Sequence, residues 1–184
     1  MKRFDLMLRW AAVAICLALL PGTAQAQDIY TYTVGVYGGI GGSFDADPDP
    51  GLSRPTYQLS FSMLTEARTL FGIRVGQLDF GNHESLGRLF DSDLTYVTLA
   101  GEYRLRRPLY DSGLFLGLGG YRLEGTRIDG RSSDETALGV TFGVTGDFPI
   151  NQRFSILVEL SGHYADFDDA QFFGLGHVGF AVHF

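Results

Sequence analysis

Lysine occurs only at position 2 and cysteine only at position 16, and no stretch after residue 26 offers the roughly 18 apolar residues a membrane-spanning helix needs. Each absence narrows the reading. Cys16 lies inside an N-terminal apolar run, without a small-residue lipobox before it, so a lipid-modified cysteine is disfavoured. If the run is removed, no thiol is left, and disulfides, thiolate metal sites and cysteine nucleophiles are excluded. Losing Lys2, Arg3, Arg9 and Asp5 with that segment takes the formal charge from −7 to −9 over residues 27–184. Such an acidic chain argues against nucleic acid or anionic lipid as an electrostatic partner, and for hydrated loops.

What is present begins with an export signal. Met1 to Arg9 form a positive segment, Trp10 to Leu20 an apolar one too short to span a bilayer, and Ala24-Gln25-Ala26 fits the small-x-small cleavage pattern. The expected division is therefore a signal peptide over 1–26 and one domain over 27–184. Nothing in the latter reads as a linker.

The domain alternates with the period of two that strands impose. Counting back from Phe184, Val182, Phe180, Val178, Gly176, Gly174 and Phe172 share one face, and His183, Ala181, Gly179, His177 and Leu175 the other. Seven earlier runs behave alike. Val34, Val36 and Ile40 oppose Thr33, Gly35 and Tyr37; Leu59, Phe61 and Met63 oppose Gln58, Ser60 and Ser62; Phe71, Ile73 and Val75 oppose Gly72, Arg74 and Gly76. Val97, Leu99 and Tyr103 oppose Thr98, Glu102 and Arg104; Leu114, Leu116 and Leu118 oppose Phe115, Gly117 and Gly119. Phe142 and Val144 oppose Thr141, Thr145 and Asp147, and Ile156, Val158 and Leu160 oppose Ser155, Glu159, Ser161 and His163. Eight strands with apolar residues on one face and polar ones on the other fit a barrel with lipid outside and a polar interior.

The connections alternate too. Residues 42–55, 81–92, 125–136 and 165–171 are the longer, Gly- and Asp-rich ones, while 65–69, 106–112 and 149–153 are short. The expected fold is all-β: an eight-stranded antiparallel transmembrane β-barrel, a closed up-and-down meander, because an open edge in hydrocarbon leaves backbone groups unpaired. Long loops then belong outside the cell, and short turns and both termini in the periplasm. A hairpin turning near Asp168 pairs residues whose numbers sum to about 336, setting Glu159 opposite His177 and Phe154 opposite Val182.

On these residues the chain resembles the small eight-stranded outer-membrane barrels, similar to the OmpA transmembrane domain and OmpX. Its ending, His177, Gly179, Val182 and terminal Phe184, resembles the assembly signal of that group. The resemblance implies a Gram-negative outer-membrane location, with outer-membrane lipid, lipopolysaccharide and the barrel-assembly machinery as partners and a monomeric state. No peptidoglycan-binding domain follows the last strand, so wall anchoring is not implied.

Several patterns are candidates for chemistry. The glycine clusters at 35–42 and 117–120 precede neither a helix pattern nor a Lys-Ser/Thr pair, so they read as barrel packing rather than phosphate loops. Asp45, Asp47 and Asp49 recur like the start of a calcium loop, but Pro50 stands where the turn glycine belongs and Thr56 where the bidentate acid belongs. They remain a weak metal candidate beside a solvated acidic loop. Lipid A deacylases share the eight-stranded fold and place a His, then a Ser two residues on, in the penultimate strand. Here His163 is followed by Ala165, and His177 stands where the last-strand acid would be, so no hydroxyl is present to attack. The remaining constellation is a charged lumen of Arg74, Glu102, Arg104, Asp147, Glu159, His163 and His177, where pairing into a plug is commoner than conduction. No cofactor is expected. Three functions follow in order: a non-enzymatic structural or surface-interacting barrel with an external ligand at its acidic loops, a narrow ion or solute channel, and a lipid-modifying enzyme.

Overall fold

The computed structural model describes residues 31–46, 52–66, 68–81, 85–86, 88–106, 108–127 and 129–184. The signal peptide and its cleavage point lie outside these residues, as do Asp47 and Asp49. Among the described residues nine strands occur in order: β1 (Tyr32–Ser43), β2 (Arg54–Glu66), β3 (Thr69–Asp79), β4 (Ser85–Leu86), β5 (Leu89–Arg106), β6 (Asp111–Arg127), β7 (Ser132–Pro149), β8 (Phe154–Ala165) and β9 (Phe172–His183). Each barrel strand pairs antiparallel with its sequence neighbours, β3 pairs β5, and β1 pairs β9. The ring closes with eight staves, and β4 is a two-residue hairpin partner of β5 above it. Closure leaves no sheet edge within the apolar zone.

The alternation predicted from sequence holds on every stave. Val36, Leu59, Phe61, Leu99, Leu116, Leu118, Phe142, Val178 and Phe180 are exposed on the outside, while Thr98, Glu102, Phe115, Thr141, Glu159 and His177 are buried inside. An apolar side chain gains nothing from facing water, so a continuous apolar outer belt identifies the lipid-facing zone. In the final hairpin Glu159 lies opposite His177 and Phe154 opposite Val182, as the hairpin arithmetic requires.

Two expected long loops contain strand. β6 and β7 pair from Asp111 opposite Asp147 up to Thr126 opposite Ser132, so most of 125–136 is a projecting hairpin rather than a loop. Part of 81–92 is likewise strand, with a bulge between Phe90 and Asp93 where Asp91 takes a φ of 50°. The cause is an inversion of polarity. Beyond Val97 and Leu118 the outward residues become Asp93, Thr95, Arg122 and Glu124, and the inward ones become Leu94, Tyr96, Tyr121 and Leu123. Outside lipid the sheet meets water on its outer face and must bury apolar residues within, so its polar, Asp-rich sequence reads as loop when judged on composition.

The interior therefore has two storeys. At the end carrying the long connections, Leu78, Phe80, Leu86, Leu89, Leu94, Tyr96, Tyr121, Leu123, Phe167, Phe173 and Leu175 form one apolar core. Toward the end carrying the short turns, the lumen is polar and charged.

Candidate functional site

The polar storey is built by inward positions of β2, β3, β5, β7 and β8. Arg74 is its hub: Nε donates to Glu159 Oε2 at 3.0 Å, and a terminal nitrogen donates to Glu102 Oε2 at 3.1 Å. Its guanidinium lies 4.0 Å from the centre of the Phe115 ring. Arg104 donates to Glu102 Oε1 at 3.3 Å and to Asp147 Oδ2 at 3.1 Å. Gln58 joins the other side, donating to Glu159 Oε1 at 3.1 Å while accepting from the Tyr96 hydroxyl at 2.9 Å. Thr145 donates to Glu102 at 2.9 Å. Two guanidinium groups thus serve three carboxylates, an arrangement that satisfies charges which would be prohibitive alone.

Two inward glycines make room for this network. A Cβ on Gly113 would collide with the Glu102 carboxylate and the Thr145 hydroxyl, and one on Gly76 would collide with the Tyr96 hydroxyl. Small residues here are a packing requirement of the polar groups around them.

The three inward histidines among the described residues form separate attachments. Thr56 uses its only hydroxyl proton on Gln77 O, at 2.9 Å, so its contact with His177, at 3.1 Å, must be donated by Nε2–H of the imidazole. His177 therefore stands opposite Glu159 in register, but its bond goes to Thr56, while Gln58 and Arg74 take the two carboxylate oxygens. His163 sits between the Ser161 hydroxyl and the Tyr121 hydroxyl, each at 3.0 Å. His183 lies 2.8 Å from Ser155 Oγ through Nε2 and 2.9 Å from Thr33 Oγ1 through Nδ1, with Asp147 3.9 Å from the same Nε2. Serine and aspartate on one ring nitrogen do not make a relay, which needs them on opposite nitrogens. Gln58, Tyr96, Tyr121 and Thr145 also belong to this site, although a search for charged or imidazole side chains does not single them out. Their signal was available, since each occupies an inward position.

Among the acidic-loop candidates, Asp45 accepts hydrogen bonds from the backbone N–H groups of Gln171 and Phe172, at 3.0 and 3.1 Å, which makes it a clasp between two loops. The connection at 166–171 is a hub. Arg88 donates to Asp169 at 3.0 Å, and Asp168 N–H donates to Glu135 at 3.3 Å. No cluster of three or more metal-ligating side chains occurs among the described residues.

Above the belt, four outward carboxylates stand in one row across four strands. Asp79 lies opposite Asp93, Asp93 opposite Glu124, and Glu124 opposite Asp134. Arg122 answers two of them, Asp134 at 2.7 Å and Glu124. The hydrogen bond from Arg122 holds the Asp134 carboxyl below its ordinary value, whereas burial, followed by the opposing Asp79, pushes Asp93 up.

No protein-family model and no curated protein matches this chain. Solved structures do. Neisserial surface protein A is similar with a TM-score of 0.68 and 12% identity, over 83% of this chain and 97% of that one. The N-terminal β-barrel domain of Pseudomonas aeruginosa OprF gives 0.57 and 14%, over 87% and 100%. Ail, the attachment invasion locus protein of Yersinia pestis, gives 0.55 and 16%, over 86% and 100%. At such identities the likeness concerns architecture: the chain has the fold of the small eight-stranded outer-membrane β-barrels.

Proposed function

We propose that this chain is a non-enzymatic barrel of the Gram-negative outer membrane that works by presenting its long-loop end to the exterior. Its short turns and both termini then face the periplasm, with lipopolysaccharide around the belt. The observation that carries the reading is the filled interior. The Arg74–Glu159–Glu102–Arg104–Asp147 network occupies one storey and the apolar core the other, and a small polar cleft lined by Arg74, Glu102, Arg104 and Asp147 lies beside the ions. A solute crossing would have to break both storeys in turn.

Against catalysis on lipid, His163 and Ser161 are buried within the barrel and Ala165 lies in the apolar core, so this His–Ser pair does not meet the acyl chains. Planar-bilayer recording on refolded protein tests the filled lumen, and the expected trace is silent. Discrete conductance steps would overturn the proposal in favour of a narrow channel. Lipid A mass spectra from cells with and without the protein are expected to be identical.

A further inference from the structure

The net charge of the domain hides a division between its two ends. The long connections at 42–55, 81–92, 125–136 and 165–171 hold 11 acids against four arginines, whereas the short turns at 65–69, 106–112 and 149–153 hold four arginines against two acids. Pairing sharpens the difference. At the long-loop end Arg88 meets Asp169, Arg122 meets Asp134, Arg127 meets Glu135 and Arg131 meets Asp129. In the lumen Arg74 and Arg104 are shared among Glu102, Asp147 and Glu159. Arg68 and Arg153, both exposed in the short turns, form no ion pair among the described residues. Their surroundings set both at the edge of the apolar belt. Arg68 donates to the Tyr103 hydroxyl at 3.5 Å, and Tyr103 is an outward residue near the lower end of β5. Such a ring, apolar at one end and wet at the other, belongs to the membrane–water interface. Arg153 follows a turn fixed by Asn151, whose Oδ1 accepts from the Arg153 and Phe154 N–H groups at 2.8 and 3.0 Å, and it stands between exposed Ile150 and exposed Phe154.

We infer that Arg68 and Arg153 are capture points for the phosphates of anionic phospholipid in the leaflet next to the short turns. This goes beyond the surface reading above and holds whichever way the long loops point. A guanidinium presents a planar fork that matches phosphate oxygens, and its stem lies along apolar surface while its head stays at the wet boundary. A zwitterionic lipid carries its own ammonium beside the phosphate, whereas an anionic one lacks it, so the unpaired arginine favours the anionic headgroup. Lipid also accounts for Ile150 and for Leu109, exposed in another short turn, since both gain from reaching the acyl boundary. A wholly aqueous partner explains the arginines and not the apolar residues beside them. The acidity of the whole chain argues against anionic lipid as a partner, but that argument applies at the long-loop end, where the acids are. Arg68 and Arg153 sit on the β2–β3 and β7–β8 turns, on opposite sides of the ring, so each takes its own phosphate.

The test is electron spin resonance on the full refolded barrel in phosphatidylcholine bilayers, with spin-labelled phosphatidylglycerol or spin-labelled phosphatidylcholine as the reporter. Expected is an about threefold preference of the immobilised lipid shell for phosphatidylglycerol at low salt, shrinking as salt screens the exposed charges. Arg68→Gln with Arg153→Gln is expected to remove about half of that preference, because Arg106 and Arg107 keep their charges. Arg68→Lys with Arg153→Lys, which retains both charges, is expected to keep most of it. Band shift in unboiled gels shows that each variant has folded, and the wild-type measurement needs no variant at all. Equal immobilisation of the two lipids by the wild type would overturn the inference. So would a preference that the Gln variant leaves intact, or one lost on neutralising Arg122 and Arg127 instead. Binding of purified peptidoglycan that disappears in the Gln variant, with no lipid preference in the wild type, would overturn it in favour of the wall as occupant.

Discussion

At the residue scale the decisive group is Arg74, because among the described residues it alone bonds both Glu102 and Glu159. Arg74→Ala leaves the buried Glu159 without its cation and Glu102 with Arg104 as its remaining one, a situation that costs about 3–5 kcal/mol. The measurement is the urea midpoint of the refolded barrel, and Arg74→Lys should restore only part of the loss because one ammonium does not reproduce the two-sided fork. Asp93 makes the opposite kind of prediction. Its folded-state carboxyl is raised by burial and by Asp79, so its ionised form is disfavoured in the fold. Its favourable contribution is full below the unfolded-state value and is lost as pH rises through the elevated one. Asp93→Asn should therefore stabilise the barrel at neutral pH by about 0.5 kcal/mol, the size of a cross-strand like-charge contact. The gain should vanish near pH 3, and an equal gain at both ends of a pH series would contradict it.

At the element scale, β1 and β9 form the seam that closes the ring. Phe184 contributes to that seam through its backbone, since its carbonyl accepts from Thr31 and Tyr32 N–H groups and its own N–H donates to Tyr32. Its exposed ring makes no such contribution. Deleting the residue thus mixes two effects, whereas Phe184→Ala removes the aromatic end alone. We propose that His177, Gly179, Val182 and Phe184 serve as the assembly signal. Phe184→Ala should then lower the amount of barrel in the outer membrane while leaving refolding in detergent unchanged, as judged by band shift. Equal cellular levels would remove the aromatic ring from that role.

At the scale of the whole molecule the barrel behaves as two media joined end to end: one zone apolar outside and polar inside, the other polar outside and apolar inside. Closure pairs every stave in the lipid zone, so unfolding there has no low-cost local route. The refolded protein is expected to show β-dominated circular dichroism and to migrate differently in unboiled and boiled gels. A helical spectrum or identical migration would count against the architecture.

Sequence alone determined the eight staves within the lipid zone, their inward and outward faces and the register of the last hairpin, because a period of two and a turn position are local quantities read along one chain. It also set Arg74, Glu102, Arg104, Asp147 and Glu159 on inward faces. It did not determine who bonds whom: Arg74, Glu102 and Glu159 sit on β3, β5 and β8, and only ring closure brings those staves around one axis. Nor did it show that His177, facing Glu159 in register, bonds Thr56 instead. The projecting sheet stayed hidden for a related reason. Whether an alternating stretch turns its apolar face outward to lipid or inward to a core depends on where the membrane ends, and that boundary is a property of the assembled barrel.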